Sequence, residues 1–216
     1  MAHMKRHMAP KRWPIKRKGT KFVVRSNFNP TRGIPLLVVL RDMLRICQNR
    51  KEVKKAIYEK KIFVNCKEAK DEKNPLLLFD TLSIIPAEKY YRIILSANGK
   101  YSLGEINEKE SGQKITKIMD KKILKGKKIQ LNMRDGNNFI SDIKCNMEDS
   151  ALIDLKNKKI IKCLPLKEKA NIFVVEGKHA GSKGVIEKLK LERKMAKLNI
   201  EGKEINVLIK QIMVVE

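Results

Sequence analysis

The side chains in this sequence that can do chemistry are chiefly cations, and they fall into three groups. Arg41 and Arg45 lie four residues apart, a spacing that puts both on one face of a helix. Arg50, Lys51, Lys54 and Lys55 follow at a second helical period. Ahead of them come Lys5, Arg6, Lys11, Arg12, Lys16, Arg17, Lys18, Lys21, Arg25 and Arg32, with no acid before Asp42. Trp13, the only tryptophan, sits inside that run. An aromatic among ammonium and guanidinium groups suits stacking on a base or packing against the body of the protein. In the third group, Lys178, His179 and Lys183 alternate with Gly177, Gly181 and Gly184. Glycines there permit positive φ and close approach of a partner to the backbone.

Covalent chemistry finds no comparable set. Two of the three histidines fall in the basic run and one in the glycine-rich loop. No Ser/His/Asp or Cys/His arrangement and no apolar carboxylate pair can be argued from spacing. Cys47, Cys66, Cys145 and Cys163 make no C-x-x-C pair and have no histidine at ligand distance in sequence, so free thiols in a reducing compartment are expected. Glycine-rich loops that cradle nucleotide phosphates lead into a helix, whereas a β-rich segment follows this one. The expectation is a protein with no catalytic residue, metal, cofactor or small-molecule substrate.

The charge names the partner class. There are 49 Lys plus Arg against 24 Asp plus Glu, a net +25. Such an excess repels itself in a compact chain and implies a polyanion, nucleic acid first and an anionic membrane second. No apolar run of about 18 residues exists to span a bilayer, and no signal-peptide core follows the N-terminal cations. The prolines at 10, 14 and 30 interrupt any amphipathic presequence. A cytoplasmic protein is expected.

The elements that must position these groups can be read in order. A chain of 216 residues can bury roughly 70% of its unfolded surface and divide into small domains. Residues 1–34 read as a basic arm, mobile until it meets its polyanionic partner. Residues 35–87 read as two short helices, then strand, turn and strand. Leu36, Leu37, Leu40, Leu44 and Cys47 form an apolar stripe, and Asn49 with Glu52 makes a capping box for a second helix buried through Val53, Ala56 and Ile57. Residues 88–170 read as an all-β domain, with turns at Asn98-Gly99 and Asp135-Gly136. Residues 171–216 read as a third unit, opened by the strand from Ile172 to Val175. The fold class is α+β.

Three of these segments resemble known families. The helix-helix-hairpin pattern of 35–87 is similar to the small RNA-binding module named after ribosomal protein S-four. The loop from Glu176 to Ile186 is similar to the KOW motif of a small β-barrel. The run from His3 to Trp13, the segment from Ile34 to Asp42, the pieces Glu52 to Lys55 and Phe79 to Ile84, and the run from Gln130 to Gly136 together resemble the archaeal and eukaryotic ribosomal S-four-e family. The spacing of Lys21 to Arg25 and of Tyr90 to Arg92 follows the archaeal branch, and the Lys- and Ile-rich composition, with Glu216 directly after a strand, fits a compact archaeal member. One departure stands out: the family has Asp-Gly in the module's hairpin turn, and this chain has Asn65-Cys66, which predicts a different or displaced turn beside Lys67.

The resemblance implies a structural constituent of the small ribosomal subunit that binds rRNA, sits beside neighbouring ribosomal proteins and supports assembly and translation. A dissociable RNA-binding factor of translation or transcription is the alternative. The residues expected on RNA are Arg6, Lys11, Arg12, Trp13, Lys16, Arg17, Lys18, Arg41, Arg45, Arg50, Lys51, Lys54, Lys55, Lys67, Lys178, His179 and Lys183. S-four modules also occur on pseudouridine synthases and aminoacyl-tRNA synthetases, but the central β region is too short for a catalytic domain.

Overall fold

A computed structural model describes residues 4–215 except 142, 191 and 201. His3 at the head of the arm motif, Asp142 in the expected return strand and Glu216 lie outside the described residues. Among the described residues helices are few and short, and antiparallel strands are the dominant regular structure. It divides into two compact units. One takes in the chain up to Ser96 together with Lys100–Gly112; the other takes in Ala97–Gly99 and everything from Gln113.

In the first unit a five-stranded antiparallel sheet runs Lys67–Glu68, Ile62–Val64, Thr81–Ile84, Lys89–Leu95, Tyr101–Ile106. Tyr91, Ile93 and Leu95 alternate inward on one strand, as a half-buried strand requires. The boundary expected between 87 and 88 falls inside this sheet. Ile85–Ala87 makes one 3-10 turn and Glu88 takes φ 48°, so Pro86 tightens a hairpin instead of opening a linker.

The helices depart from their expected form. Leu36–Val38 is α-helical, Val39–Met43 continues as a π-turn, and Arg45 ends the segment at φ 56°. Leu36 to Leu40 are all buried, so the segment is apolar on every side and is enclosed by the unit. Because Arg41 lies within the π-turn and Arg45 is itself left-handed, the two do not share a regular helix face. The second helix, Arg50–Tyr58, has Val53 fully buried and Ala56 and Ile57 half-buried. The Glu52 carboxylate accepts the backbone N–H groups of Gln48 at 2.7 Å and Asn49 at 3.5 Å at its start.

The arm is part of the first unit, not a mobile tail. Met4–Lys5 pairs with Phe22–Val23, and Gly33–Pro35 pairs with Pro75–Leu77. The backbone N–H of Tyr101 donates to the Arg12 carbonyl at 2.9 Å, and the Tyr101 hydroxyl donates to that of Arg32 at 3.0 Å. Composition pointed to disorder because it counts charges; a few specific hydrogen bonds and one indole set the outcome.

The second unit holds two five-stranded antiparallel sheets. The first runs Asn138–Ile140, Ile129–Met133, Gln113–Ile123, Ser150–Asp154, Lys159–Leu164. Its central strand Gln113–Ile123 pairs over its first half with Ser150–Asp154 and over its second with Ile129–Met133, with a bulge between Ile118 and Asp120. The other runs Lys203–Leu208, Met195–Ile200, Lys183–Lys190, Asn171–Val174, Ile212–Val214. Ile172, Val174, Ile186, Leu198 and Ile212 form the centre of its core.

Candidate RNA-binding surface

Hydrogen bonding sorts the cations of the arm. Arg6 donates through Nε to the Thr20 carbonyl at 2.7 Å, through Nη1 to the Lys16 carbonyl at 2.8 Å and through Nη2 to Thr20 Oγ1 at 2.7 Å. Its fork thus closes the loop that follows it. Trp13 is 2% exposed, and its Nε1 donates to the Gly33 carbonyl at 3.0 Å. Of the two roles open to the indole, the structure assigns packing against the body; a base has no face to stack on, and Trp13 leaves the set of expected RNA contacts. Lys11, Lys16, Arg17 and Lys18 are exposed and Arg12 is half-buried. Lys11, Lys16 and Arg17 line a cavity of about 370 Å³ with Arg6 and Lys100.

On the helical segment, Arg41 binds Asp42 through Nε at 3.0 Å and Nη2 at 2.9 Å. This ion pair raises the Arg41 pKa above its ordinary value, burial opposing it. Arg50 binds Glu72, which is 4% exposed, through Nε and Nη2. Arg45, Lys51, Lys54, Lys55 and Lys67 are exposed. The hairpin turn beside Lys67 stands where the expected pattern has it. Asn65 and Cys66 take φ 51° and 60°, and the Asn65 amide locks the turn by donating to Asp80 Oδ1 at 2.8 Å and accepting the Thr81 N–H at 3.0 Å. The expectation of a displaced turn is corrected: these side-chain bonds hold Cys66 in a left-handed conformation that glycine would take more cheaply.

The glycine-rich loop lies on the second unit. Gly177 and Gly181 have φ of 97° and 94°. Gly184 serves differently: a Cβ there would lie 2.5 Å from the Asn199 carbonyl oxygen, so it permits close strand approach. Lys178 and Lys183 are exposed and His179 is half-buried.

Some lysines of this unit are interior. Lys114 and Asp135 pair at 2.7 Å with 2% and 6% side-chain exposure. Burial pushes the Asp135 carboxyl up, but the Lys114 ammonium and hydrogen bonds from Lys114 and Asn137 outweigh it and hold the pKa below its ordinary value. Lys117 is fully buried, donates to the carbonyls of Ile209 at 2.5 Å and Ile212 at 2.9 Å, and pairs with Glu148 at 2.6 Å. Burial holds its pKa below the usual lysine value, against the pull of Glu148. Among the described residues, no group of three or more His, Cys, Asp or Glu side chains is placed to hold a metal ion. No helix among them is long and apolar enough to cross a membrane.

Comparison with known proteins supplies the lineage. The model of the family described as Ribosomal family S4e matches residues 87–160, and that of the RS4NT (NUC023) domain matches residues 2–28. The small ribosomal subunit protein eS4 of Methanocella arvoryzae is 36% identical over 197 residues, 90% of this chain and 83% of that one. Its counterpart in Archaeoglobus fulgidus is 35% identical over 94% of this chain and 87% of its own length. The chain belongs to the S4e family of ribosomal proteins. The crystal structure of the 30S ribosomal protein S4e from Thermoplasma acidophilum shares the fold, with a TM-score of 0.73 at 20% identity over 85% of this chain and 95% of that one.

Sequence reasoning did not single out two cations that the fold adds to this candidate surface. Arg25 and Lys73 join Arg41 and Arg50 around one cavity, with Phe22 beside them. Phe22 and Phe28 carried the same signal that drew attention to Trp13, an aromatic among cations. Lys73 carried none, because only the folded chain brings it to Arg25.

Proposed function

We propose that this chain is a structural constituent of the small ribosomal subunit that binds rRNA. Its likeness to archaeal small ribosomal subunit proteins eS4 over nine-tenths of its length carries the reading. The net charge of +25 supports it. The chain acts by binding and not by catalysis, in the cytoplasm, on ribosomes, beside other small-subunit proteins, and contributes to subunit assembly and translation.

In this reading residues 35–87 work as an S-four-type module and 171–216 as a KOW-type barrel, with the basic arm of 1–34 before them and the β region of 88–170 between. The side chains at 11, 12 and 16–18, those at 41, 45, 50, 51, 54, 55 and 67, and those at 178, 179 and 183 contact rRNA phosphates, the lysines and arginines among them neutralising charge. Arg6 and Trp13 hold the arm in shape. Each neutralised phosphate releases counterions, so affinity falls with salt at a log-log slope of roughly 0.7–0.9 per phosphate.

Sedimentation of a lysate through high-salt sucrose gradients tests the assignment. Retention with the small subunit after the salt wash is expected. Release of the chain by salt would make it a dissociable factor.

A further inference from the structure

Two cavities adjoin on the first unit. One, of about 260 Å³, is bordered by Phe22, Arg25, Arg41, Arg50 and Lys73. The other, of about 660 Å³, is bordered by Arg25, Phe28 and Lys73 among others. Arg25 and Lys73 line both, so the two form one groove. Four basic side chains line it, two of them, Arg41 and Arg50, already ion-paired, and among the described residues neither lining includes a carboxylate. Arg41 and Arg50 each commit Nε and Nη2 to their own acid, Asp42 and Glu72, which fixes the guanidinium and keeps Nη1 for another acceptor.

The aromatics are held there by construction. Phe28 is 48% exposed and Phe22 44%. The Phe28 N–H donates to Ser26 Oγ at 3.2 Å, and Ser26 is itself buried. Asn27 donates its backbone N–H to the Lys73 carbonyl at 3.2 Å and its side-chain amide to Asp71 at 3.1 Å. The loop is therefore tied to the segment carrying Lys73, with its phenyl ring left in water. A ring in water beside basic side chains is a stacking platform for an unpaired base with phosphate contacts on either side.

We infer that this groove binds an unpaired nucleotide of RNA, its base on Phe28 and its flanking phosphates on Arg25 and Lys73. The inference rests on the proposed RNA-binding function and deepens it by naming the state of the RNA and the residues that read it. A duplex offers no base face to Phe28. Cavities of roughly 300–1,000 Å³ take ligand-sized groups, which a single nucleotide is and a helix is not.

Fluorescence anisotropy of the full chain tests it, with labelled oligouridine of about eight nucleotides, within the span of single-strand sites, and a short RNA hairpin duplex. Phe28→Ala should weaken oligouridine binding about tenfold, the loss of one stacked base, and leave duplex binding unchanged. Phe28→Tyr should retain both. Arg25→Ala with Lys73→Ala should lower the salt slope for oligouridine by about 0.7 for each phosphate no longer neutralised. Unchanged oligouridine affinity in Phe28→Ala, or equal weakening of both ligands, would overturn the inference while leaving RNA binding intact. Displacement of oligouridine by uridine monophosphate at equal nucleotide concentration would overturn it in favour of a free-nucleotide site. If the wild-type chain binds neither RNA, the broader reading fails as well. Circular dichroism of each variant confirms that half-exposed Phe28 is dispensable for folding.

Discussion

Trp13 Nε1 donates to the Gly33 carbonyl across twenty residues of sequence, at 3.0 Å. That bond and the burial of the indole tie the basic arm to the chain just before its first helix. Trp13→Ala should destabilise the first unit by about 3–5 kcal/mol, the range for removing a large buried aromatic. Trp13→Phe should cost about 1 kcal/mol more than the reduced buried area predicts, since the Gly33 carbonyl loses its donor. Urea denaturation measures both, and trypsin should cut the arm of the alanine variant before the rest of the unit.

The exposed cations make the opposite prediction. Replacing Arg45, Lys51, Lys55 and Lys67 with Ala should leave the circular dichroism spectrum and Tm in place while lowering rRNA affinity. The log-log salt slope should fall by roughly 0.7–0.9 for each phosphate that the variant leaves unneutralised. Filter binding over a salt series reads it, and unchanged affinity with an intact fold would remove these residues from the interface.

Cys66 sits at φ 60° in a two-residue turn. Cys66→Gly should stabilise the protein by about 0.5–1 kcal/mol, the left-handed penalty less the added freedom of the unfolded glycine. A loss of stability would mean that the thiol's approach to the Ser111 carbonyl, 3.9 Å, outweighs the strain.

Asp135 yields a pH prediction. Its pKa is lower in the folded chain than its ordinary 3.8, so the unfolded chain binds the proton more tightly. Its stabilisation is fully present above that ordinary value and is lost as pH falls through the folded pKa. Asp135→Asn at neutral pH should cost about 3–5 kcal/mol, because it leaves the buried Lys114 ammonium without its counter-charge. Lys114→Met with Asp135→Asn should recover much of that cost and flatten the acid limb of stability against pH. Urea titrations across an acidic pH series check the sign.

Much of this architecture was legible in the chain, and the exceptions share a cause. Tyr91, Ile93 and Leu95 alternate, Gly99 and Gly136 take positive φ where turns were expected, and Asn49 and Glu52 cap the second helix. The strand Gln113–Ile123 escaped notice because Lys114 and Lys117 occupy inward positions, where lysine reads as solvent-facing. Partners such as Asp135, Glu148, Ile209 and Ile212, from 21 to 95 residues away, make them interior. Arg6 reads as an RNA contact for the same reason: its acceptors at Lys16 and Thr20 exist only once the loop closes. Local pattern reports side-chain type and period; which cation finds an internal acceptor is decided by tertiary structure.

Lys117 also sets an order of events during the protein's own synthesis. Its two carbonyl acceptors lie 92 and 95 residues downstream. At a translation rate of about 5–20 residues per second, its ammonium waits roughly 5–20 s before those acceptors are made. Glu148 is made earlier and can balance the charge in that interval, but the ammonium's remaining donors have no acceptor until those carbonyls exist. The first unit, whose residues are all made by Gly112, faces no such wait. A nascent chain would thus emerge with one half able to fold early and the other completing the Lys117 site only when Ile212 is in place.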